Sequence, residues 1–294
     1  MPIRDINEIA NPVVSILTPV EENQDVFIPD IIDPNIPNRN GFISIFTGSG
    51  GSGKSSLLLN MVTNKNMYRN KFDNIFYICL ESSFCSAVDH PFKDHDKVFH
   101  ELNIDLLQEI YDSLKGIVLE REEAKEALKK AKADKVKKKN KKDIVTIFID
   151  DLDYKEQLEK IPKVKYNLII IDDFADALKH NDIQKLLSSM LIKARHINTS
   201  FIFTLQAYTY FPKILRKQIT NAIIFKTKNV EEFISLSSEL CNMNKHDALT
   251  LFNYCFDGQP YNHLDIDTWK NTYMKNFNLL SFNYDNEKLI SKVN

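Results

Sequence analysis

A glycine-rich octapeptide carries the residue types that are needed to hold phosphate groups. It follows the pattern G-x-x-x-x-G-K-S and reads Gly48-Ser49-Gly50-Gly51-Ser52-Gly53-Lys54-Ser55. Glycines let successive backbone N–H groups turn inward around an anion, and the lysine ammonium reaches the terminal phosphates. In this pattern the Ser55 hydroxyl is a ligand of Mg²⁺. We therefore predict that residues 48–55, together with the adjacent Ser56, bind a nucleoside triphosphate and its magnesium ion.

The neighbouring residues support this interpretation of the octapeptide. An apolar run of strand type, residues 42–46, precedes it, and Leu57-Leu58-Leu59 follows it. This context is that of a strand, a phosphate-binding loop and a helix whose N-terminal dipole end adds positive potential. A flexible Gly/Ser linker is the alternative interpretation, and the flanking apolar runs disfavour it.

Two consecutive acids follow an apolar run farther along the chain. Residues 168–171 are Leu-Ile-Ile-Ile, and Asp172-Asp173 comes next. Hydrolysis of a triphosphate requires a carboxylate that holds Mg²⁺, directly or through water, and a group that orients the attacking water. We assign the first role to Asp172 and the second to Asp173.

A second segment has the same form and competes for these roles. Residues 145–149 are apolar or β-branched and precede Asp150-Asp151. We favour Asp172-Asp173, because they lie one helix ahead of another strand with a polar end, whereas the earlier copy adjoins a run of lysines. Glu81, at the end of the strand that follows the first helix, is a further candidate base, although an ordinary loop glutamate is the simpler interpretation.

Gln206 ends the run Thr204-Leu205-Gln206. The carboxyl ends of parallel strands line the ligand crevice of an α/β sheet. We therefore predict that Gln206 senses the terminal phosphate of the nucleotide.

Strand and helix patterns alternate from Gly41 onward. The near-continuous apolar character of the strands is typical of a parallel sheet buried on both faces. The predicted fold is α/β, with a mostly parallel sheet flanked by helices. The predicted strands are 42–47, 74–80, 167–171, 200–205 and 222–226, and the predicted helices are 54–65, 100–132, 181–196, 212–219 and 230–252.

Two regions depart from this alternation. Six of the ten prolines lie in residues 1–40, which we interpret as an extended N-terminal arm that packs on its own domain or on a neighbouring subunit. Residues 115–142 hold eleven lysines and one arginine against five acids. This basic helical insertion is either a solvated surface element or a projection that contacts DNA phosphates. Residues 41–294 form one domain, in which 230–294 are C-terminal helices and a tail.

Composition restricts the remaining possibilities. The formal net charge of −2 argues neither for nor against a nucleic-acid partner. The four cysteines form no C-x-x-C pair and show no zinc spacing, which is typical of a reducing compartment. No apolar run approaches the roughly 18 residues of a transmembrane helix, and the first residues show no secretory signal.

Taken in order along the chain, these motifs resemble the FtsK–HerA superfamily, and in particular the genome-packaging ATPases of poxviruses, other large nucleocytoplasmic DNA viruses and virophages. The resemblance covers about residues 41–80 and 164–226. Beyond the loop, the acids and Gln206, it includes Ala194-Arg195-His196 and the block Tyr210-Phe211-Pro212-Lys213-Ile214-Leu215-Arg216.

The resemblance implies a RecA-like P-loop core of the ASCE class that uses ATP and Mg²⁺. It also implies assembly into a ring, a hexamer or a pentamer, that moves double-stranded DNA into a viral capsid. Capsid or membrane components would then be partners. The protein would be located in the virion or in the viral factory of the host cytoplasm. In such rings an arginine of one subunit reaches the neighbour's terminal phosphate, and Arg195 and Arg216 are the candidates. A structural ion pair is the alternative role for each.

Other functions stay open from the sequence. Asn244-Lys245-His246-Asp247 matches the N-K-x-D motif of GTPases, but a helix-like segment precedes it and no D-x-x-G motif follows a strand. A P-loop nucleotide kinase predicts an arginine-rich lid, for which the lysine run is a poor substitute. A structural DNA- or capsid-binding protein with ATP as a static ligand would not need the second carboxylate of Asp172-Asp173.

Overall fold

The computed structural model describes residues 27–29, 31, 33–85, 90–137 and 161–282, with residues 132–137 as helix backbone only. Within these ranges the chain forms one nine-stranded sheet with helices on both faces. The strands are β1 Ile43–Thr47, β2 Asn74–Cys79, β3 Val98–Phe99, β4 Asn167–Asp172, β5 Thr199–Leu205, β6 Asn221–Phe225, β7 His263–Asp267, β8 Thr272–Lys275 and β9 Asn278–Leu279.

Helices connect the parallel strands and follow the last of them. They are α1 Lys54–Thr63, α2 Glu81–Cys85, α3 Ile104–Lys137, α4 Asn181–Ile192, α5 Lys213–Arg216, α6 Val230–Cys241 and α7 Lys245–Phe256. Single turns of 3-10 helix lie at Ala177–Lys179 and Tyr208–Tyr210.

The strand order is β3-β2-β4-β5-β1-β6-β7-β8-β9, and the first six strands in this order are parallel. The prediction of a mostly parallel, helix-covered α/β sheet is confirmed. β5 lies between β1 and β4. The carboxyl end of β1 leads into the glycine-rich loop, and the carboxyl end of β4 leads into the two acids, so both lie beside the carboxyl end of β5. These three carboxyl ends share one edge of the sheet.

Alternate side chains of the central parallel strands enter two separate cores, as the period of two of a strand requires. On one face, Ile45, Ile171 and Phe203 pack with α3, α4, α6 and α7. On the other face, Phe46 and Ile170 pack with α1 and with the segment that contains Ile28 and Ile36. Burial on both faces explains why the parallel strands β1, β2, β4, β5 and β6 are predominantly apolar.

The C-terminal region differs from the prediction of helices and a tail over 230–294. Three antiparallel strands, β7 to β9, extend the sheet beyond β6. The helix predicted over 230–252 is two helices, because Asn242 takes the left-handed conformation that ends α6, and Asn244 caps α7 by accepting a hydrogen bond from the backbone N–H of Asp247.

The described part of the predicted arm lies against the chain's own domain. The Tyr68 hydroxyl donates to the carbonyl of Pro37 at 2.6 Å, and Asn35 Nδ2 donates to the carbonyl of Phe277 at 2.9 Å. Residues 1–26 of that arm lie outside the described residues.

Helix α3 continues well past the core of the domain. Leu114 is buried, and every residue from Lys115 to Ala131, the last one whose side chain the structure describes, is exposed or half-buried. The predicted basic insertion therefore begins where the helix leaves the core. The last five residues of that insertion, 138–142, and the competing acids Asp150-Asp151 lie outside the described residues.

Across the parts of the chain that the structure covers, no helix combines the length and the apolar character of a membrane span.

A buried, hydrogen-bonded pair on β7, His263 and Asp265, is the basis of a stability prediction. Asp265 accepts hydrogen bonds from His263 Nδ1 at 2.6 Å and from the backbone N–H of Phe277 at 2.7 Å. Asp265→Ala leaves both donors buried without an acceptor, so we expect it to lower the free energy of unfolding by about 1–3 kcal/mol. Chemical denaturation measures this loss.

Asp96→Ala is the matched control, because 85% of that side chain is exposed. We expect it to change the free energy of unfolding by less than about 0.5 kcal/mol. Equal losses in the two variants would contradict the assignment of Asp265 as a structural acceptor.

Candidate nucleotide-binding site

The glycine-rich loop occupies residues 48–53, between β1 and α1. Gly48 has a φ of 153°, and a Cβ at this position would lie 2.6 Å from Cβ of Phe225. Gly53 has a φ of 99°, and a Cβ there would lie 3.1 Å from the ring of Tyr261. Both positions therefore require glycine. At Gly48 the reasons are packing and backbone conformation, and at Gly53 the reason is chiefly the left-handed backbone.

Lys54 turns its ammonium group back into this loop. Its Nζ donates to the carbonyl oxygens of Gly48 at 2.7 Å and of Ser49 at 3.0 Å. Burial lowers the pKa of Lys54, and the negative charges of Asp173 and Asp172 oppose that effect. The two carboxylates are thus close enough to Lys54 for their charges to favour its protonated form. Ser55 and Ser56, by contrast, are exposed at the start of α1.

Asp172 is the last residue of β4 and is only 4% exposed. Its Oδ2 accepts a hydrogen bond from the Tyr77 hydroxyl at 2.9 Å, and its Oδ1 accepts one from the Thr204 hydroxyl. Burial raises the pKa of Tyr77, and the charge of Asp172 raises it further. The phenol therefore stays protonated and keeps donating, so that the carboxylate is held in one orientation.

Asp173 contacts both Thr204 and Gln206. Its backbone N–H donates to the carbonyl of Thr204 at 3.1 Å and to the Thr204 hydroxyl at 3.2 Å. Its Oδ2 accepts from Gln206 Nε2 at 2.9 Å. Asp173 has a φ of 60°, a left-handed conformation that aspartate tolerates better than most residues. The structure thus places three predicted site residues, Asp172, Asp173 and Gln206, side by side.

The oxygen ligands at this edge fit a magnesium ion. A carboxylate offers about four acceptor positions, and Asp172 uses two of them for Tyr77 and Thr204. Mg²⁺ prefers oxygen ligands and usually binds through one or two carboxylates and the phosphates of its substrate. Among the described residues no three His, Cys, Asp or Glu side chains form a metal-binding group. The carboxylate of Asp172 and the hydroxyl of Ser55 are oxygen groups of the kind that would hold Mg²⁺ together with nucleotide phosphates.

A cleft of about 420 Å³ opens beside Asp173 and Gln206. Its other walls are Leu80, residues 174–177, Lys179 and Tyr210. Glu81, the further candidate base, is exposed at the start of α2, immediately after Leu80. The hydrogen bonds of Asp172 and Asp173 do not involve Glu81. Its role as a base therefore stays a prediction.

Sequence reasoning missed Tyr77 and Thr204, the two residues that hold Asp172. Thr204 lies two residues before Gln206, at the carboxyl end of β5, and a hydroxyl at that position next to the predicted site is a signal that the sequence contains. Tyr77 could not be assigned without the register, in which Cys79 of β2 is the partner of Asp172. Burial raises the pKa of the Cys79 thiol to about 12, so this cysteine is an inert packing residue.

Arg216, one of the two arginine candidates, is buried in its own subunit. Its guanidinium donates to Glu239 at 3.0 Å and to the carbonyls of Phe211 at 2.8 Å and Thr209 at 3.2 Å. It also lies 4.4 Å above the ring of Tyr208. These contacts favour the structural alternative for Arg216.

Arg195, the other candidate, is exposed near Gly41, where β1 and β5 are about to begin. It therefore lies at the edge of the sheet opposite the glycine-rich loop. An arginine on this edge does not reach the loop of its own subunit, so Arg195 stays a prediction for a contact between subunits.

The N-K-x-D match has a local structural explanation. Asn244 is the N-cap of α7, where its Oδ1 accepts from the backbone N–H of Asp247 and its Nδ2 donates to the Asp247 carboxylate at 2.7 Å. The motif follows helix α6 rather than a buried strand. These residues form a helix cap.

The strand order and the loop after β1 define a RecA-like P-loop NTPase fold. Among solved structures, the genome packaging NTPase B204 of Sulfolobus turreted icosahedral virus 2 is 16% identical, with a TM-score of 0.44 over 80% of this chain and 97% of that chain. EssC (ATPases 2 and 3) from Geobacillus thermodenitrificans is 16% identical, with a TM-score of 0.49 over 86% of this chain and 42% of that one.

The cytoplasmic domain of the Type VII secretion ATPase EccC of Thermomonospora curvata is 18% identical, with a TM-score of 0.47 over 83% of this chain and 26% of that chain. At identities of 16–18% the likeness concerns the fold alone. A scan against protein-family models finds no match, and neither does a search of curated proteins.

The packing of Arg216 leads to a prediction about stability. Arg216→Ala removes the partner of Glu239 and leaves buried carbonyl oxygens without a donor, so we expect the free energy of unfolding to fall by about 2–3 kcal/mol. Thermal or chemical denaturation measures this. Lys217→Ala, at an exposed neighbouring position, is the control and should have little effect. Unchanged stability together with lost turnover in Arg216→Ala would instead indicate a role across a subunit interface.

Proposed function

We propose that this protein binds Mg-ATP in the loop of residues 48–56 and hydrolyses it. The observation that carries the proposal is the meeting of a phosphate-binding loop, its lysine and a pair of carboxylates at one edge of a parallel sheet. Two carboxylates and a hydrogen-bonding amide are more than static binding of ATP requires.

Lys54 and the loop backbone provide the binding function. The ammonium group already lies inside the loop on the carbonyls of Gly48 and Ser49. It can therefore donate to phosphate oxygens with a short movement, while backbone N–H groups and the start of α1 attract the negative charge. Mg²⁺, when bound with ATP, neutralises charge that develops on the transferring phosphoryl group, and Asp172 and Ser55 would hold it.

Asp173 provides the hydrolytic function. Its carboxylate is half-buried beside the cleft and has one oxygen fixed by Gln206. The other oxygen is available to accept a proton from a water molecule and to aim that water at the terminal phosphate. Gln206 touches Asp173 directly, so it can link occupancy of the terminal phosphate position to the orientation of the base.

The more specific proposal is an ATP-driven translocase that packages double-stranded DNA into a viral capsid. It is supported by the resemblance of residues 194–196, 206 and 210–216 to the FtsK–HerA packaging ATPases. The sequence of residues 115–142, with eleven lysines and one arginine against five acids, suits contact with a phosphate backbone. A ring of subunits would bring Arg195 from the opposite edge of one sheet toward the loop of the next subunit.

We expect Asp173→Asn to retain ATP binding and to lose turnover by about 100-fold or more, because it removes the base but not the phosphate contacts. Asparagine also tolerates the left-handed backbone at this position. Nucleotide binding by calorimetry and phosphate release measure the two effects separately. Lys54→Ala is the contrasting variant and should lose both. Full turnover in Asp173→Asn would rule out its role as the base.

Duplex DNA should raise the rate of ATP hydrolysis if hydrolysis drives translocation. The measurement is phosphate release with and without duplex DNA, combined with a mass determination of the oligomer under the same conditions. Binding through phosphates also requires that stimulation falls as salt increases. Hydrolysis of GTP but not of ATP would overturn the proposal in favour of a GTPase, and phosphate transfer to a small acceptor would favour a kinase.

A further inference from the structure

We propose that Tyr261 is the surface on which the base of the bound nucleotide stacks. The inference rests on the proposed function, since it requires a triphosphate in the loop of residues 48–56. It adds an element that the sequence motifs do not contain: a residue about 200 positions away that completes the site on the nucleoside side.

Tyr261 lies in the segment between α7 and β7, directly against the glycine-rich loop. A Cβ added to Gly53 would lie 3.1 Å from Cδ1 of Tyr261 and 3.6 Å from its Cβ. Although it touches the loop, the Tyr261 side chain is 66% exposed. One side of the ring therefore packs on the loop at the start of α1, and the remainder faces open space.

The strand order indicates which end of a nucleotide meets this ring. The acids Asp172 and Asp173 follow β4, which is separated from β1 by β5 on one side. Tyr261 precedes β7, which is separated from β1 by β6 on the other side. A triphosphate whose terminal phosphate lies between Lys54 and the acids extends away from β4. Its nucleoside therefore points toward β6 and β7, where Tyr261 is exposed.

The backbone around Tyr261 is held in place before any ligand binds. Tyr261 has a φ of 72°, a left-handed conformation that is unfavourable for an aromatic residue and persists only where the surroundings enforce it. The next residues are fixed by the hydrogen bond from the His263 N–H to Asn276 Oδ1 at 2.9 Å and by the one from the Asn276 N–H to the His263 carbonyl at 3.0 Å. A backbone that is ordered in advance lowers the entropy cost of stacking a base on the ring that it carries.

Stacking predicts a particular pattern of nucleotide affinity. Every base has a π-face, so an aromatic platform strengthens binding without selecting strongly between bases. Tyr261 should therefore contribute to the binding of ATP and of GTP by similar factors. It should contribute nothing to the binding of inorganic tripolyphosphate, which has the phosphates but no base.

The test compares these three ligands by calorimetry on the full chain. We expect Tyr261→Ala to weaken ATP and GTP binding about tenfold or more and to leave tripolyphosphate binding unchanged. Tyr261→Phe keeps the ring and should bind like the wild type. Tyr254→Ala is the matched control, because Tyr254 is 61% exposed on α7 but lines a different cleft, and it should not change any of the three affinities.

A second measurement reports the position of the base. The chain contains one tryptophan, Trp269, whose fluorescence in the wild type gives the background. In Tyr261→Trp the additional emission should change when ATP is added and stay constant when tripolyphosphate is added.

The outcomes separate this inference from the proposed function. A wild-type chain that binds neither ATP nor tripolyphosphate contradicts the nucleotide site itself. A wild-type chain that binds ATP, with Tyr261→Ala equal to it, overturns the stacking role alone. If Tyr261→Ala weakens tripolyphosphate as much as ATP, the residue supports the loop and not the base, and the inference is wrong. An unchanged Tyr261→Trp signal at saturating ATP is equally decisive against it.

Discussion

The hydroxyl of Thr204 connects the two acids of the site to the centre of the sheet. It donates to the carboxylate of Asp172 and accepts from the backbone N–H of Asp173, so one side chain of β5 fixes the rotamer of one acid and the backbone of the next. Gln206 follows the last residue of β5, and β5 lies directly between β1 and β4. The distances within the site are therefore set by strand pairing, which is among the most rigid constraints in a fold, and not by loops.

The elements that could be predicted from the sequence depend on short-range patterns. The loop of residues 48–55, the apolar runs that became β1, β2, β4, β5 and β6, and the acids at the end of β4 are each contained within about ten residues. Their assembly at one edge also follows, because parallel strands present their carboxyl ends together. Gln206 was identified on the same ground, and the structure places it in contact with Asp173.

The elements that escaped prediction depend on contacts between distant residues. The strands β7 to β9 are short and partly polar, and only pairing with β6 shows them to be a continuation of the sheet. The left-handed backbone of Asn242 ends α6, and the cap at Asn244 begins α7. The helical pattern of residues 230–252 is continuous and does not indicate this break. Arg216 shared a motif with exposed residues, and its burial against Glu239 became visible only once α6 was packed.

The contact between Gly48 and Phe225 means that the loop's first glycine belongs to the hydrophobic interior as much as to the ligand site. A larger residue at position 48 would clash with Phe225 of the neighbouring strand β6, whether or not the loop binds a phosphate. Gly50, in contrast, has open space where a side chain would be. A requirement for glycine at position 48 therefore follows from the packing of the domain. A requirement for glycine at position 50 would instead reflect the binding of the nucleotide.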